Sequence, residues 1–111
     1  MKNLALLLTV PILIACGNSE PSQSTKEAVW IEKGKSAVRH KLKDGDSAIF
    51  RSTFFHRGKD NVPMSCGEVN SKNSFGAMTG YQRYISAASH ESTFLEEQID
   101  DFDIVWNKFC K

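Results

Sequence analysis

The spacing of apolar and polar residues changes along the chain, and each change predicts a new element. Between residues 26 and 42, apolar residues recur every three or four positions, which is the period of one helix face. Thr25 stands directly before this pattern as a candidate N-cap. We therefore predict a helix from Lys26 to about Leu42, with a looser middle at Gly34, where glycine costs about 1 kcal/mol relative to alanine. The predicted buried stripe consists of Ala28, Ile31, Lys35, Val38 and Leu42, with the Lys35 stem lying along it.

Alternation with a period of two follows in the middle of the chain and predicts strands. Residues 44–47 (DGDS) favour a turn before the first strand. The predicted strands cover residues 48–55, 62–70 and 81–87, and residues 93–98 fit a fourth strand or a helix equally well.

In the first strand, simple alternation places Phe50 and Phe54 on one face and Arg51 and Thr53 on the other. The connections between the strands are too short for crossovers, so the sheet is predicted to be antiparallel.

A second amphipathic helix is predicted from Asp100 or Asp101 to Cys110, with an acidic first turn and Lys108 in its last turn, as the helix dipole favours. Its buried stripe consists of Phe102, Val105, Trp106 and Phe109. Together these elements predict an α+β fold: a three- to four-stranded antiparallel meander with an N-terminal and a C-terminal helix packed on one face.

The first 16 residues have the layout of a secretory signal, with Lys2 followed by the apolar run Leu4–Ile14. The run is too short to span a bilayer, which needs about 20 apolar residues. Its end, Leu-Ile-Ala-Cys, closely resembles a bacterial lipobox. The resemblance implies cleavage before Cys16 and acylation of its thiol, so that lipid chains alone hold the mature chain at the membrane. Gly17, in the second mature position, favours the outer membrane, facing the periplasm.

These features divide the chain into a signal peptide (1–15), a lipidated cysteine with a flexible tether (16–25) and one small domain (26–111). A domain of this size buries only a little over ~60% of its unfolded surface and benefits from a cross-link. With Cys16 lipidated, Cys66 and Cys110 remain as one pair in an oxidising compartment, which favours a disulfide. The alternative is that Cys66 is a buried free thiol and Cys110 lies in a frayed end.

Charge is distributed unevenly along the chain. Loss of Lys2 with the signal leaves 13 cationic residues against 13 acidic ones, so the mature chain is neutral overall. Residues 26–43 are mainly cationic, whereas residues 91–103 carry six carboxylates and no cation. Overall neutrality and the predicted export argue against nucleic acid as a partner. The three histidines are isolated in sequence, and we predict neither a metal site nor a cofactor.

The most distinctive segment is CGEVNSKNSFG at residues 66–76, followed by GYQRY at 80–84. With DSAIFR at 46–51 and FDIVWNKFC at 102–110, it resembles a family of small exported proteins of Gram-negative bacteria and their prophages. The chain departs from the family pattern at Gly45, where proline is usual, and at Ala77-Met78, where Gly-Tyr is common. The resemblance implies a shared scaffold and leaves the activity open.

Amides and charged groups beside aromatic residues suit the recognition of a polar ligand or a peptide. The candidate ligand-binding residues in and near this motif are Glu68, Asn70, Lys72, Asn73, Tyr81 and Arg83. The alternative is structural: the asparagines bond their own backbone in a turn, and Glu68 pairs with Lys72 or Arg83.

The combined features favour a lipid-anchored binding module whose partner is an envelope protein or a peptide. A structural envelope lipoprotein and a prophage lipoprotein that interferes with superinfecting phage are the alternatives. An enzyme is the least supported class: Ser65 or Ser74 is a conceivable nucleophile and His56 or His90 its base, but no spacing places such a pair together. We therefore predict no catalytic residues.

Overall fold

The computed structural model describes residues 20–111, so the predicted signal and Cys16 lie outside the described residues. Two helices, α1 and α2, flank four strands, β1 to β4, in chain order. Their bounds are α1 Gln23–Lys41, β1 Asp44–Arg57, β2 Pro63–Lys72, β3 Gln82–Ser86, β4 Thr93–Leu95 and α2 Phe102–Phe109. No helix within residues 20–111 has the length and hydropathy needed to cross a membrane.

Helix α1 begins three residues earlier than the sequence pattern predicts. Ser22 is the N-cap, and its Oγ accepts a hydrogen bond from the backbone N–H of Thr25 at 3.2 Å. This bond satisfies one of the free N–H groups of the first turn. Gln23–Thr25, which we assigned to the tether, therefore form the first turn of the helix, and the predicted cap Thr25 lies inside it.

The buried face of α1 matches the predicted stripe only in part, because Val38 is buried and Leu42 packs against the same core, but the closest contact with the sheet is at Gly34, outside the stripe. Gly34 and Val38 are buried, whereas Ala28 is exposed. A Cβ added at Gly34 would lie closer than 3.0 Å to both Cβ and Oγ of Ser65 on β2. Glycine therefore lets the helix backbone lie directly against the sheet, and the prediction of a loose helix middle is wrong.

Small polar side chains from the sheet line this contact. Ser65, Ser86 and Thr93 are fully buried, and the hydroxyls of Ser86 and Thr93 are hydrogen-bonded at 2.7 Å. Tyr84 is fully buried among them, and burial raises the pKa of its phenol to about 12, opposed by the nearby Ser65 hydroxyl. The phenol is therefore neutral throughout the physiological pH range.

The predicted turn at residues 44–47 is wrong, because β1 already begins at Asp44. Ser47 explains how these turn-forming residues are accommodated in a strand. Its hydroxyl donates to the carbonyl of Asp44 at 2.7 Å and accepts from the backbone N–H of Lys72 on β2 at 2.8 Å. The register between β1 and β2 shifts between Asp44 and Ile49, so the extra residues form an irregular strand end.

The sheet has the order β1-β2-β3-β4 with every pair antiparallel, which confirms the predicted meander and the α+β class. The ambiguous segment 93–98 contains both structures. Residues Thr93–Leu95 form strand β4, and Glu96–Gln98 form a 3₁₀ turn directly after it.

A β-bulge at Ser52 changes which face each aromatic residue of β1 occupies. Arg51 pairs with Glu68 and Phe54 pairs with Cys66, so three steps on β1 match two on β2. Ser52 adopts a positive φ of 53° at this point. An extra residue reverses the alternation beyond it. Phe50 therefore packs edge-on against Tyr84, whereas Phe54 packs edge-on against Trp106 on α2. The prediction that Phe50 and Phe54 share one face is wrong for this reason.

The two helices cover opposite faces of the sheet, so the expectation that both pack on one face is also wrong. Successive residues of each central strand point to opposite faces of the sheet, so each strand contributes side chains to two separate cores. The core under α1 contains Val38, Val69, Tyr84 and Leu95, with Leu42, Ala48 and Phe50 around it. The core under α2 contains Met64, Cys66, Ile85, Phe102 and Cys110.

A disulfide joins Cys66 on β2 to Cys110 at the end of α2, as the cysteine count predicts. The two Cα atoms are 6.0 Å apart, and both residues are buried. The predicted apolar stripe of α2 is confirmed, since Phe102 is buried and Val105, Trp106 and Phe109 pack against the same core. The cross-link therefore holds the last turn of α2 over the centre of the sheet.

Candidate functional site

The connection between β2 and β3, residues 73–81, is a loop folded around one side chain. The Oδ1 atom of Asn73 accepts hydrogen bonds from the backbone N–H groups of Phe75 at 2.9 Å and Ala77 at 3.1 Å. The backbone N–H of Asn73 donates to the Ala77 carbonyl at 2.9 Å. Asn73 thus closes the turn from both its side chain and its backbone, which is a frequent use of asparagine in turns.

A second asparagine closes the base of this β2–β3 loop. The Oδ1 of Asn70 accepts from the backbone N–H of Gly80 at 2.9 Å, and Thr79 donates from its backbone to the Ser71 carbonyl at 3.2 Å. Gly80 has φ of 95°, a left-handed conformation that glycine adopts without strain. The sequence analysis gave, as the alternative to ligand binding, that the asparagines bond their own backbone in a turn. Asn70 and Asn73 do so, because both side chains accept hydrogen bonds from the loop backbone.

The loop presents an almost completely exposed aromatic ring. The exposed fraction of Phe75 is 94%, and Met78, on the same loop, is 41% exposed. Leaving a phenylalanine ring in water instead of burying it forgoes about 1.5–3 kcal/mol. Its backbone N–H is fixed by Asn73, so the ring stands on a well-defined support.

Beside this loop lies a hollow of about 270 Å³, which we call the cationic hollow. It lies between the end of α1, the start of the β2–β3 loop and the 3₁₀ turn. Its charged lining residues are Lys41, Lys43, Lys72 and Glu97, and Asn73 and Phe75 also line it. The structure therefore places two of the predicted ligand-binding residues, Lys72 and Asn73, in one concave site.

Glu68 and Tyr81 lie on the α2 side of the sheet and are joined through Arg51. Arg51 Nε donates to Glu68 Oε1 at 2.9 Å, and its guanidinium lies 3.6 Å from the centre of the Tyr81 ring. Arg51 and Arg83 both lie opposite Glu68, in the β1–β2 and β2–β3 registers. Glu68 pairs with Arg51, rather than with Lys72 or Arg83, and Arg83 is engaged by Glu96 and Asp103 instead. Arg51, Glu68 and Tyr81 do not line the cationic hollow.

Arg83 holds α2 and the 3₁₀ turn against the sheet. Its Nη2 donates to Glu96 Oε2 at 2.8 Å and to Asp103 Oδ1 at 2.5 Å. The guanidinium also lies over the rings of Phe102 and Trp106, 5.1 and 5.2 Å from their centres.

The same contacts shift the ionisation of both partners. Hydrogen bonding to Glu96, and then to Asp103, raises the pKa of Arg83 above its ordinary value. The side-chain bond from Arg83, followed by the one from its backbone N–H, lowers the pKa of Glu96. These bonds engage Arg83 in fixing α2, so its placement among ligand-binding residues stays a prediction.

The serines and histidines weighed as catalytic pairs lie in separate places. Ser65 is buried under α1, with its hydroxyl 3.5 Å from the Ile31 carbonyl, and His56 Nε2 lies 3.2 Å from the Lys111 carbonyl. Ser74 lines the cationic hollow, whereas His90 lines a different hollow together with His40. Within residues 20–111, no cluster of three or more His, Cys, Asp or Glu side chains is arranged to hold a metal ion.

Sequence reasoning missed three residues of the site, Lys41, Lys43 and Phe75. Lys41 and Lys43 entered the sequence analysis only as part of the cationic segment 26–43, yet they line the hollow. Phe75 was not among the predicted binding residues, although an apolar residue in an otherwise polar loop is a sequence signal for such a site.

No protein-family model matches the chain, and no curated protein or solved structure shows significant similarity to it.

Proposed function

We propose that the chain is a lipid-anchored binding module of the cell envelope, with the β2–β3 loop as its contact surface. The observation that carries the proposal is the exposed ring of Phe75 on a loop held by Asn70 and Asn73. Aromatic side chains, phenylalanine among them, are enriched in protein interfaces, and aromatic residues that the partner buries are frequent hot spots. A loop that is already ordered loses little entropy when it binds, which favours affinity.

The lipobox-like sequence supports the location of the module. If Cys16 is acylated, it lies only six positions before the N-cap Ser22, so the domain stays close to the membrane surface. The partner is therefore expected to be another component of the envelope, or a component of an incoming phage.

We expect Cys16 to be acylated and to be the first residue of the mature chain. Cells grown with an alkyne analogue of palmitate should label the wild-type protein and leave Cys16→Ser unlabelled and unprocessed. The control is the double variant Cys66→Ser/Cys110→Ser, which should keep the label because Cys16 is intact. A mature N-terminus at any other residue would contradict the anchor.

We expect the contact surface to be detectable by photo-crosslinking in cells. The reactive amino acid p-benzoylphenylalanine in place of Phe75 retains the aromatic ring and should give a specific protein adduct in the membrane fraction. The same amino acid at Val29, an apolar residue of α1 that is 49% exposed, should give none. Co-expressed wild-type protein should compete for the adduct, whereas co-expressed Phe75→Ala should compete at least about tenfold less well, as for loss of a hot spot.

Adducts at both positions or at neither would refute the proposed surface. An adduct that forms only after phage adsorption, together with reduced plating of the phage, would identify the partner as a phage component.

A further inference from the structure

We infer that the cationic hollow and Phe75 together bind an acidic protein segment that carries an apolar side chain. This inference rests on the proposed function and specifies the chemistry of the partner. Phe75 lines the hollow and stands on the loop that forms one of its walls, so one ligand can contact the ring and the lysines together.

The residues that line the hollow carry an excess of positive charge, which favours an anionic ligand. Three lysines, Lys41, Lys43 and Lys72, line it against one carboxylate, Glu97. Among residues 20–111, the ammonium groups of these three lysines form no ion pair within 4.0 Å. The side chains of Lys43 and Lys72 are exposed, and Lys41 lies 5.8 Å from the centre of the Phe94 ring. Clustered cations of this kind raise the local concentration of carboxylates and speed their association.

The apolar component of the ligand follows from the exposed side chains of the β2–β3 loop. Phe75 is almost fully exposed and Met78 is 41% exposed on the same loop. A purely ionic ligand would leave both side chains in water, whereas an acidic segment with an apolar residue covers the ring and pairs with the lysines. Protein interfaces commonly combine aromatic contacts with charged groups around them in this way.

The position of the hollow on α1 favours a protein over the anchoring bilayer. Helix α1 has 19 residues and therefore spans about 27 Å, with the tether at its start and Lys41 at its end. The stretch from Cys16 to Ser22 covers at most about 21 Å when fully extended. If α1 were inverted so that the hollow pointed into the membrane, its start would lie beyond the reach of this tether. The tether length therefore excludes the orientation in which the hollow points straight into the anchoring membrane, and this favours a protein partner.

The test uses the full lipid-anchored chain with p-benzoylphenylalanine at position 75. The test variant is Lys43→Glu/Lys72→Glu, and the control is Lys33→Glu/Lys108→Glu, which makes the same change in net charge at exposed lysines outside the hollow. We expect the test variant to lose the protein adduct by about tenfold or more and the control to keep it, since reversed charges at an interface repel. Circular dichroism and thermal melting should show both variants folded, because neither pair of lysines is buried.

The crosslinked segment, mapped by mass spectrometry, should contain several carboxylates and an apolar residue. Replacing those carboxylates with lysine should restore the adduct of the test variant. A protein adduct that is insensitive to Lys43→Glu/Lys72→Glu, or an adduct with lipid, would overturn this inference and leave a binding function of the loop in place. The absence of any adduct at position 75 would overturn the proposed function itself.

Discussion

Replacing Gly34 with alanine is expected to destabilise the protein by about 2 kcal/mol or more, although the same change in an exposed helix stabilises by about 1 kcal/mol. The reversal of sign has a steric cause. The new Cβ would overlap Cβ and Oγ of Ser65, which is fully buried on the central strand β2. Either the helix or the strand must move, and close-packed interiors resist such movement. The free energy of unfolding of the purified protein, obtained from urea unfolding followed by circular dichroism, measures the effect.

Two further variants isolate the contact between Gly34 and Ser65. Ser36→Ala introduces the same residue on the exposed side of α1 and should leave stability unchanged or slightly raised. Ser65→Gly removes the obstructing atoms, so it should be less harmful in the Gly34→Ala background than in the wild type, with a coupling of about 1–3 kcal/mol. A Gly34→Ala protein that is more stable than the wild type would show that α1 does not approach the sheet this closely.

Removing the Cys66–Cys110 disulfide should produce the largest loss of stability. The bond closes a loop with a sequence separation of 44, and constraining such a loop in the unfolded chain contributes about 4 kcal/mol. Helix α2 has only eight residues, too few to persist alone in water, so its order depends on packing and on this bond. Cys66→Ala and Cys110→Ala should each lose most of the 4 kcal/mol, and the double variant should lose little more than the worse single one, because each change removes the same bond.

Reduction provides the matched control for the disulfide. Dithiothreitol should lower the unfolding midpoint of the wild type and leave that of the double alanine variant unchanged. Thiol titration of the unfolded mature protein without reductant should find neither cysteine free. Two free thiols would contradict the disulfide and support the alternative in which Cys66 is a buried free thiol.

The candidate site was only partly accessible to sequence reasoning. The motif at residues 66–76 directed attention to the β2–β3 loop, and the polar composition of the loop suggested that its asparagines would bond their own backbone, which Asn70 and Asn73 do. These bonds are local and follow from side-chain chemistry within a few residues. The hollow was not predictable, because Lys41 and Lys72 come together only through the packing of α1 on the sheet.

The sequence by itself determined the two helices, the first three strands, their order and the pairing of the two cysteines, and it left residues 93–98 open between strand and helix. Hydrophobic periods of 3.6 and 2 depend only on neighbours along the chain, and one cysteine pair allows one bridge. The faces were decided by the tertiary structure. A bulge at Ser52 reverses the alternation along β1, so Phe50 packs against Tyr84 in the core under α1, whereas Phe54 contacts Trp106 on the α2 side. The two helices lie on opposite sides of the sheet. In the sequence, Gly34 is only a residue with low helix propensity. In the structure, it is the position at which helix α1 lies directly against the sheet. The register of paired strands and the close approach of a helix to a sheet both depend on residues that are distant in sequence. Local sequence patterns therefore cannot predict them.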